Sequence, residues 1–146
     1  MYNWFECKIK YDKMLDTGMQ KSVTEPYLVD ALSFTEAEER IVHEMQPFIS
    51  GDFTVSDIRR KKFVETFFSE SGDRYYNARL AFVTLDENSG SEKRTNVNML
   101  VQASDIHEAL EIIKTEMKKT MTDHEIIGIT ETGIIDVFPY AEKVNN

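Results

Sequence analysis

The sequence predicts an α+β fold made of two internally duplicated β-β-α-β units. These would form mostly antiparallel sheet, with two helices packed against it and a pseudo-twofold between the units. Three observations lead there. Tyr27 to Met45 recurs at Met99 to Met117 with an offset of 72 and no gap, and nine of the nineteen positions are identical. The stretches around Phe5 to Tyr11 and Tyr76 to Phe82 alternate apolar and polar residues with the period of a half-buried strand. Each copy of the long repeat also carries a capping box, Ser33-Phe34-Thr35-Glu36 and Asp105-Ile106-His107-Glu108, ahead of an apolar stripe of helical period.

The elements follow in order. Phe5, Cys7, Ile9 and Tyr11 predict a strand with one inward face, and Trp4 on its polar side predicts an edge or a partly covered face. Asp12 to Gln20 reads as a hairpin loop and Lys21 to Leu32 as the second strand, in which Pro26 belongs at an edge or a bulge because it lacks an amide donor. The capping box starts a helix at Phe34. Phe34, Ala37, Ile41 and Met45 face a sheet, Glu38, Glu39 and Arg40 face mostly outward, and Pro47 stops the helix. Phe48 to Thr54 is a loop, and Val55 to Phe68 reads as one long strand whose basic run carries charge on both faces, requiring exposure on two sides or a bend.

Ser69 to Asp73, polar with a glycine, marks the boundary between two repeats of about 3–68 and 74–140 within a single domain. The second half repeats the plan: a strand at Tyr76 to Phe82, a hairpin loop at Asp86 to Lys93, a strand at Arg94 to Ala103, and a helix on Ile106, Ala109, Ile113 and Met117. Leu110 and Ile112 widen its apolar arc and predict deeper burial than in the first helix. Glu125 to Phe138 supplies strand formers, with a bend or bulge at Gly133 and a frayed tail from Ala141 to Asn146. The helix of each half can cross between two strands, and the halves can share one continuous sheet or close face to face.

Composition excludes several functions. The chain has 146 residues and 41% hydrophobic content, enough for a core without staples. The single cysteine, Cys7, allows neither an intramolecular disulfide nor a thiolate metal site, and its place in an alternating strand predicts a small core residue. No secretory leader follows Met1 and no stretch approaches a membrane span, so a cytoplasmic protein away from membranes is expected. A net charge of −9 disfavours general phosphate contact.

Chemistry-bearing motifs are absent. His43, His107 and His124 lack metal-clamp spacing, and Glu36 and Glu108 are explained as caps. Glu39/Glu111 and Glu44/Glu116 recur, and helix stability accounts for them more simply than metal binding or acid–base work; no cofactor and no catalytic residue is expected. The unusual feature is Arg59-Arg60-Lys61-Lys62, with Arg74 and Tyr75 as possible neighbours. Basic residues beside exposed aromatics hold single-stranded nucleic acid by phosphate contact and base stacking. The plainer reading is a positive patch that complements acidic helices in the chain or in a homodimer.

The opening WFECKIKYDK, the paired LV-A and EA motifs and the closing IIDVFPY resemble a family from Bacteroidetes and their phages, the domain of unknown function 4494. The resemblance covers nearly the whole chain. It implies a bacterial or phage-related origin and supplies no catalytic or binding residues. The functional expectation is a non-enzymatic protein-binding or structural protein, alone or as an oligomer, with its partner a protein (itself or another). A nucleic-acid-associated protein using the basic strand is the alternative, and an enzyme with a pocket between the halves a third.

Overall fold

A computed structural model describes residues 2–140. The elements run β1 (Trp4–Met14), β2 (Gln20–Asp30), α1 (Phe34–Met45), β3 (Phe53–Lys61), β4 (Glu65–Phe67), β5 (Arg74–Leu85), β6 (Glu92–Ala103), α2 (Ile106–Lys118), β7 (His124–Glu131) and β8 (Asp136–Phe138). They form two α+β modules of the same design, as the duplication predicts. The expected tail, Ala141 to Asn146, lies outside the described residues.

The strands do not make one continuous sheet. There are two four-stranded sheets, ordered β3-β1-β2-β8 and β4-β6-β5-β7. In the first, β1 pairs antiparallel with β2 and β3, and β8 joins β2 in parallel. In the second, β5 pairs antiparallel with β6 and β7, and β4 joins β6 in parallel. Among the described residues the compact units are 2–62 with 134–140, and 63–133. Each sequence repeat therefore gives its last three-residue strand to the other repeat's sheet: Phe67 packs into the second core and Phe138 into the first.

This exchange overturns the reading of Val55 to Phe68 as one strand. Pairing with β1 ends at Lys61, and four residues later, at Glu65, the chain pairs with β6. The same happens after β7, where Gly133 takes φ 76, a left-handed conformation that favours glycine. The bulge itself lies earlier, where Ile127 is the extra residue between Ile126 and Gly128 opposite Leu80 and Arg79. Ser56 is the extra residue at the equivalent place in β3, and its hydroxyl donates to the Lys8 carbonyl at 3.2 Å. The polar stretch 69–73 is a turn inside the second unit. Gly72 is buried there against Ala103, an approach that requires glycine because a Cβ would stand 2.6 Å from the Ala103 backbone.

The first core gathers Phe5, Cys7, Ile9, Tyr27 and Val29 under Ala37, Ile41 and Met45 of α1. The second gathers Tyr76, Ala78, Leu80, Met99 and Val101 under Ala109, Ile113 and Met117 of α2. The helices bury the same three positions, so α2 is not sunk further as a whole; Leu110 and Ile112 are only half-buried. Both caps form. Ser33 Oγ and Asp105 Oδ1 accept from the amides of Glu36 and Glu108 at 3.1 and 2.8 Å. The glutamates reach one residue further back than expected, to the amides of Leu32 and Ser104, each at 2.7 Å.

Two other expectations fail, at Trp4 and at Arg40. Trp4 is 1% exposed, on an interior strand and not an edge. Arg40 turns back from α1 onto the carbonyls of Asp30, Phe138 and Pro139, and lies 4.7 Å from the Tyr140 ring. It thereby fastens the C-terminal strand to the first unit. Pro26 sits on β2 where its outer side ceases to be an edge; its carbonyl accepts from Ile135, and pairing with β8 begins at Tyr27. Among the described residues, no helix is long and apolar enough to cross a membrane.

Candidate functional site

The basic run ends β3, an edge strand of its sheet that, among the described residues, pairs with β1 alone. Alternation on that strand divides the charges. Arg59 is bonded to Asp57 at 2.8 Å and lies opposite Glu6. Arg60 lies on the helix-facing side, 5.1 Å from the Phe5 ring. Lys61 lies opposite Trp4, and Lys62 follows the end of the strand, exposed. The four cations are not brought onto one face.

Arg74 and Tyr75 belong to the second compact unit, at the start of β5. Arg74 is exposed, and its guanidinium is held above its usual range by a hydrogen bond with Tyr76 and by the charge of Glu131. Tyr75 is buried, and its carbonyl accepts from the amide and hydroxyl of Thr132 at 2.9 and 2.8 Å. A ring so placed offers no stacking surface.

Sequence reasoning missed the hollows beside β3. A groove of about 630 Å³ runs between α1 and β3, lined by Glu38, Val42, Ile49, Asp52, Phe53 and Val55. A second hollow of about 520 Å³ lies past its end, between the β1–β2 hairpin and the loop after α1, with Tyr11, Lys13, Phe48 and Asp52 among its walls. The signal was available in the difference between the repeats. Glu38, Val42 and Gln46 form one stripe on α1, and α2 has Leu110, Lys114 and Lys118 at the equivalent positions.

Beside these hollows, Glu25 accepts from the hydroxyls of Tyr11 and Tyr27 at 2.9 and 3.2 Å, and Lys13 stands 3.7 Å away. Burial, with the adjacent Glu25 carboxylate, raises the pKa of both phenols. They are fixed donors, not acids of neutral solution. Cys7 is fully buried, and burial, with Glu6 and Glu38, pushes its thiol up to about 12. It carries no thiolate at neutral pH. Among the described residues no three His, Cys, Asp or Glu side chains gather as a metal set.

The family model described as Domain of unknown function (DUF4494) matches residues 3–140. The chain belongs to this family. The DUF4494 match takes in every strand and both helices, so both modules and the exchanged strands β4 and β8 lie within it. No curated protein matches the chain.

Proposed function

We propose that this DUF4494 protein is a non-enzymatic binding or structural protein that engages a protein partner by strand addition at β3. The observation that carries this reading is a nine-residue edge strand with an open side, beside a groove that has apolar walls and an acidic rim. An added strand gains main-chain hydrogen bonds from such an edge and places alternate side chains in the groove. The expected cytoplasmic location belongs to the same proposal, and a buried, protonated thiol at Cys7 is compatible with it.

The nucleic-acid alternative has less support. Arg59 is engaged by Asp57, Arg60 lies on the opposite face, and Tyr75 is buried. An enzymatic reading gains nothing from Cys7 or the two phenols, whose pKa values are all raised.

A photo-crosslinking amino acid at Thr54, exposed on β3, tests the proposal in cells. Protein adducts should form there, and Arg60→Glu with Lys61→Glu should suppress them in a chain that still folds. Nucleic-acid adducts suppressed by the same reversals would overturn the proposal in favour of the alternative.

A further inference from the structure

We infer that the strand added to β3 is β3 of a second copy of this chain, antiparallel about Ser56 and Asp57. The inference rests on the reading that β3 is a protein-binding edge, and it names the partner.

The strand is complementary to its own reverse. Asp52 precedes it, and Arg60 and Lys61 close it. Laid antiparallel on a second copy, Asp52 meets the other copy's Lys61, Phe53 meets Arg60, Thr54 meets Arg59, and Val55 meets Ile58. Residues directly opposite on paired strands share a face and interact. Phe53, Val55, Ile58 and Arg60 all lie on the helix-facing side, since they oppose Tyr11, Ile9, Cys7 and Phe5 of β1. Without the bulge this register would place inward residues against outward ones, because Val55 and Ile58 are three apart. The extra residue at Ser56 restores the match.

The residue that pairs with Phe53 stands over the hollow rimmed by Glu38 and Asp52. In this register that residue is the other copy's Arg60. Its guanidinium already lies 5.1 Å from one aromatic ring, that of Phe5, and the pairing offers it a second in Phe53, with the Glu38 carboxylate on the rim beside it. Val55 and Ile58, half-buried in the separate chain, pair to form an apolar centre. Contact of one patch with itself closes as a twofold dimer, the commonest arrangement of soluble oligomers. A bulge and terminal charges also blunt an edge against indiscriminate pairing. On β3 their order admits the reversed copy and opposes strands of other charge pattern.

The sister edge fits less well. β7 has glutamates at 125 and 131 and no lysine or arginine, so pairing with its own copy joins two acidic strands. Glu125 is already held by Arg94 at 2.7 Å.

Light scattering on the full chain over a concentration series tests the dimer. Wild type should double its mass reversibly, and amides of residues 53–61 should gain exchange protection in step. Asp52→Lys alone and Lys61→Asp alone should each weaken the dimer roughly tenfold. The double swap should restore it, since position 52 then again meets an opposite charge at 61. Thermal melting of each variant separates lost pairing from lost fold, and the quieter pair Asp52→Asn and Lys61→Gln should weaken the dimer in the same direction. A chain that stays monomeric throughout overturns the self-partner, as does a dimer indifferent to the single swaps or not restored by the double one. In each case protein adducts at Thr54 in cells would leave the strand-addition reading standing, whereas their absence would remove both.

Discussion

The two modules share one design and differ in what they ask of it. Ala37, Ile41 and Met45 seat α1 as Ala109, Ile113 and Met117 seat α2, and the bulges at Ser56 and Ile127 fall at equivalent places. Around that common frame the first module is the more polar. Tyr11, Glu25 and Tyr27 stand where the second has Phe82, Val97 and Met99. Arg40 stands where the second has Ile112, and buried Asp30 where it has Gln102. The second module shows that the fold is satisfied by apolar or neutral residues at these places. Of the polar groups of the first, Tyr11 lines the hollow past the end of β3, whereas Arg40 bonds the carbonyls of Asp30 and Phe138 on the β2–β8 side, at the other edge of the sheet, where it fastens β8.

The sharpest test of equivalence is a matched deletion. Ile41→Ala and Ile113→Ala each remove a fully buried side chain from beneath a helix, and each should cost about 3 kcal/mol, measured by chemical denaturation. Equal costs would confirm that the modules use the same keystone. A difference above about 1.5 kcal/mol would mean that one core collapses around its cavity and the other does not.

A second, smaller effect separates the modules. Arg40→Ala removes the donor shared by the carbonyls of Asp30, Phe138 and Pro139, and its side chain is 18% exposed. Charge-assisted bonds of this kind suggest a loss of about 2 kcal/mol. The loss should be local: the Ile135 amide, which donates to Pro26 at 2.9 Å, should exchange faster, while the Val64 amide, which donates to Asn98 at 2.9 Å, should not change. Equal acceleration at both amides would show that Arg40 supports the whole chain and not one exchanged strand.

These comparisons explain what could be read before the structure. The duplication, the caps, the helix stripes and both hairpins were legible because each is a local pattern: a period, a spacing of three, a glycine in a loop. The exchange of β4 and β8 was not. Nothing local to Glu65-Thr66-Phe67 says which sheet receives it, and its strand propensity is the same in either. Arg40 was misjudged because helix periodicity places its Cα on the outer face, while its long side chain folds back over the strand end. The basic run was visible as composition, but which of its members share a face depended on pairing with β1, and the bulge that makes β3 match its own reverse became visible once that register was known.

The last contrast is Asp30 against Gln102. They stand at equivalent places, Asp30 last in β2 and Gln102 next to last in β6, and both secure a neighbouring backbone amide: Asn3 donates to Asp30 Oδ1 at 2.8 Å, and Ser69 donates to Gln102 Oε1 at 3.0 Å. The amide side chain does this without charge, whereas burial raises the pKa of Asp30 against the opposing influence of the Asn3 amide and Arg40. A carboxyl with a raised folded pKa binds its proton more tightly when folded. Its contribution is fully present below the ordinary value of about 4 and is lost as pH rises through the folded value. Wild type should therefore lose stability as pH rises over that acid window. Asp30→Asn keeps the acceptor for Asn3 and removes the titration, so the difference between variant and wild type should shift in the variant's favour as pH rises through the window. A difference that does not change with pH would mean that Arg40 and the Asn3 amide together cancel the effect of burial, and that the two modules meet the same need equally well with a charge and without one.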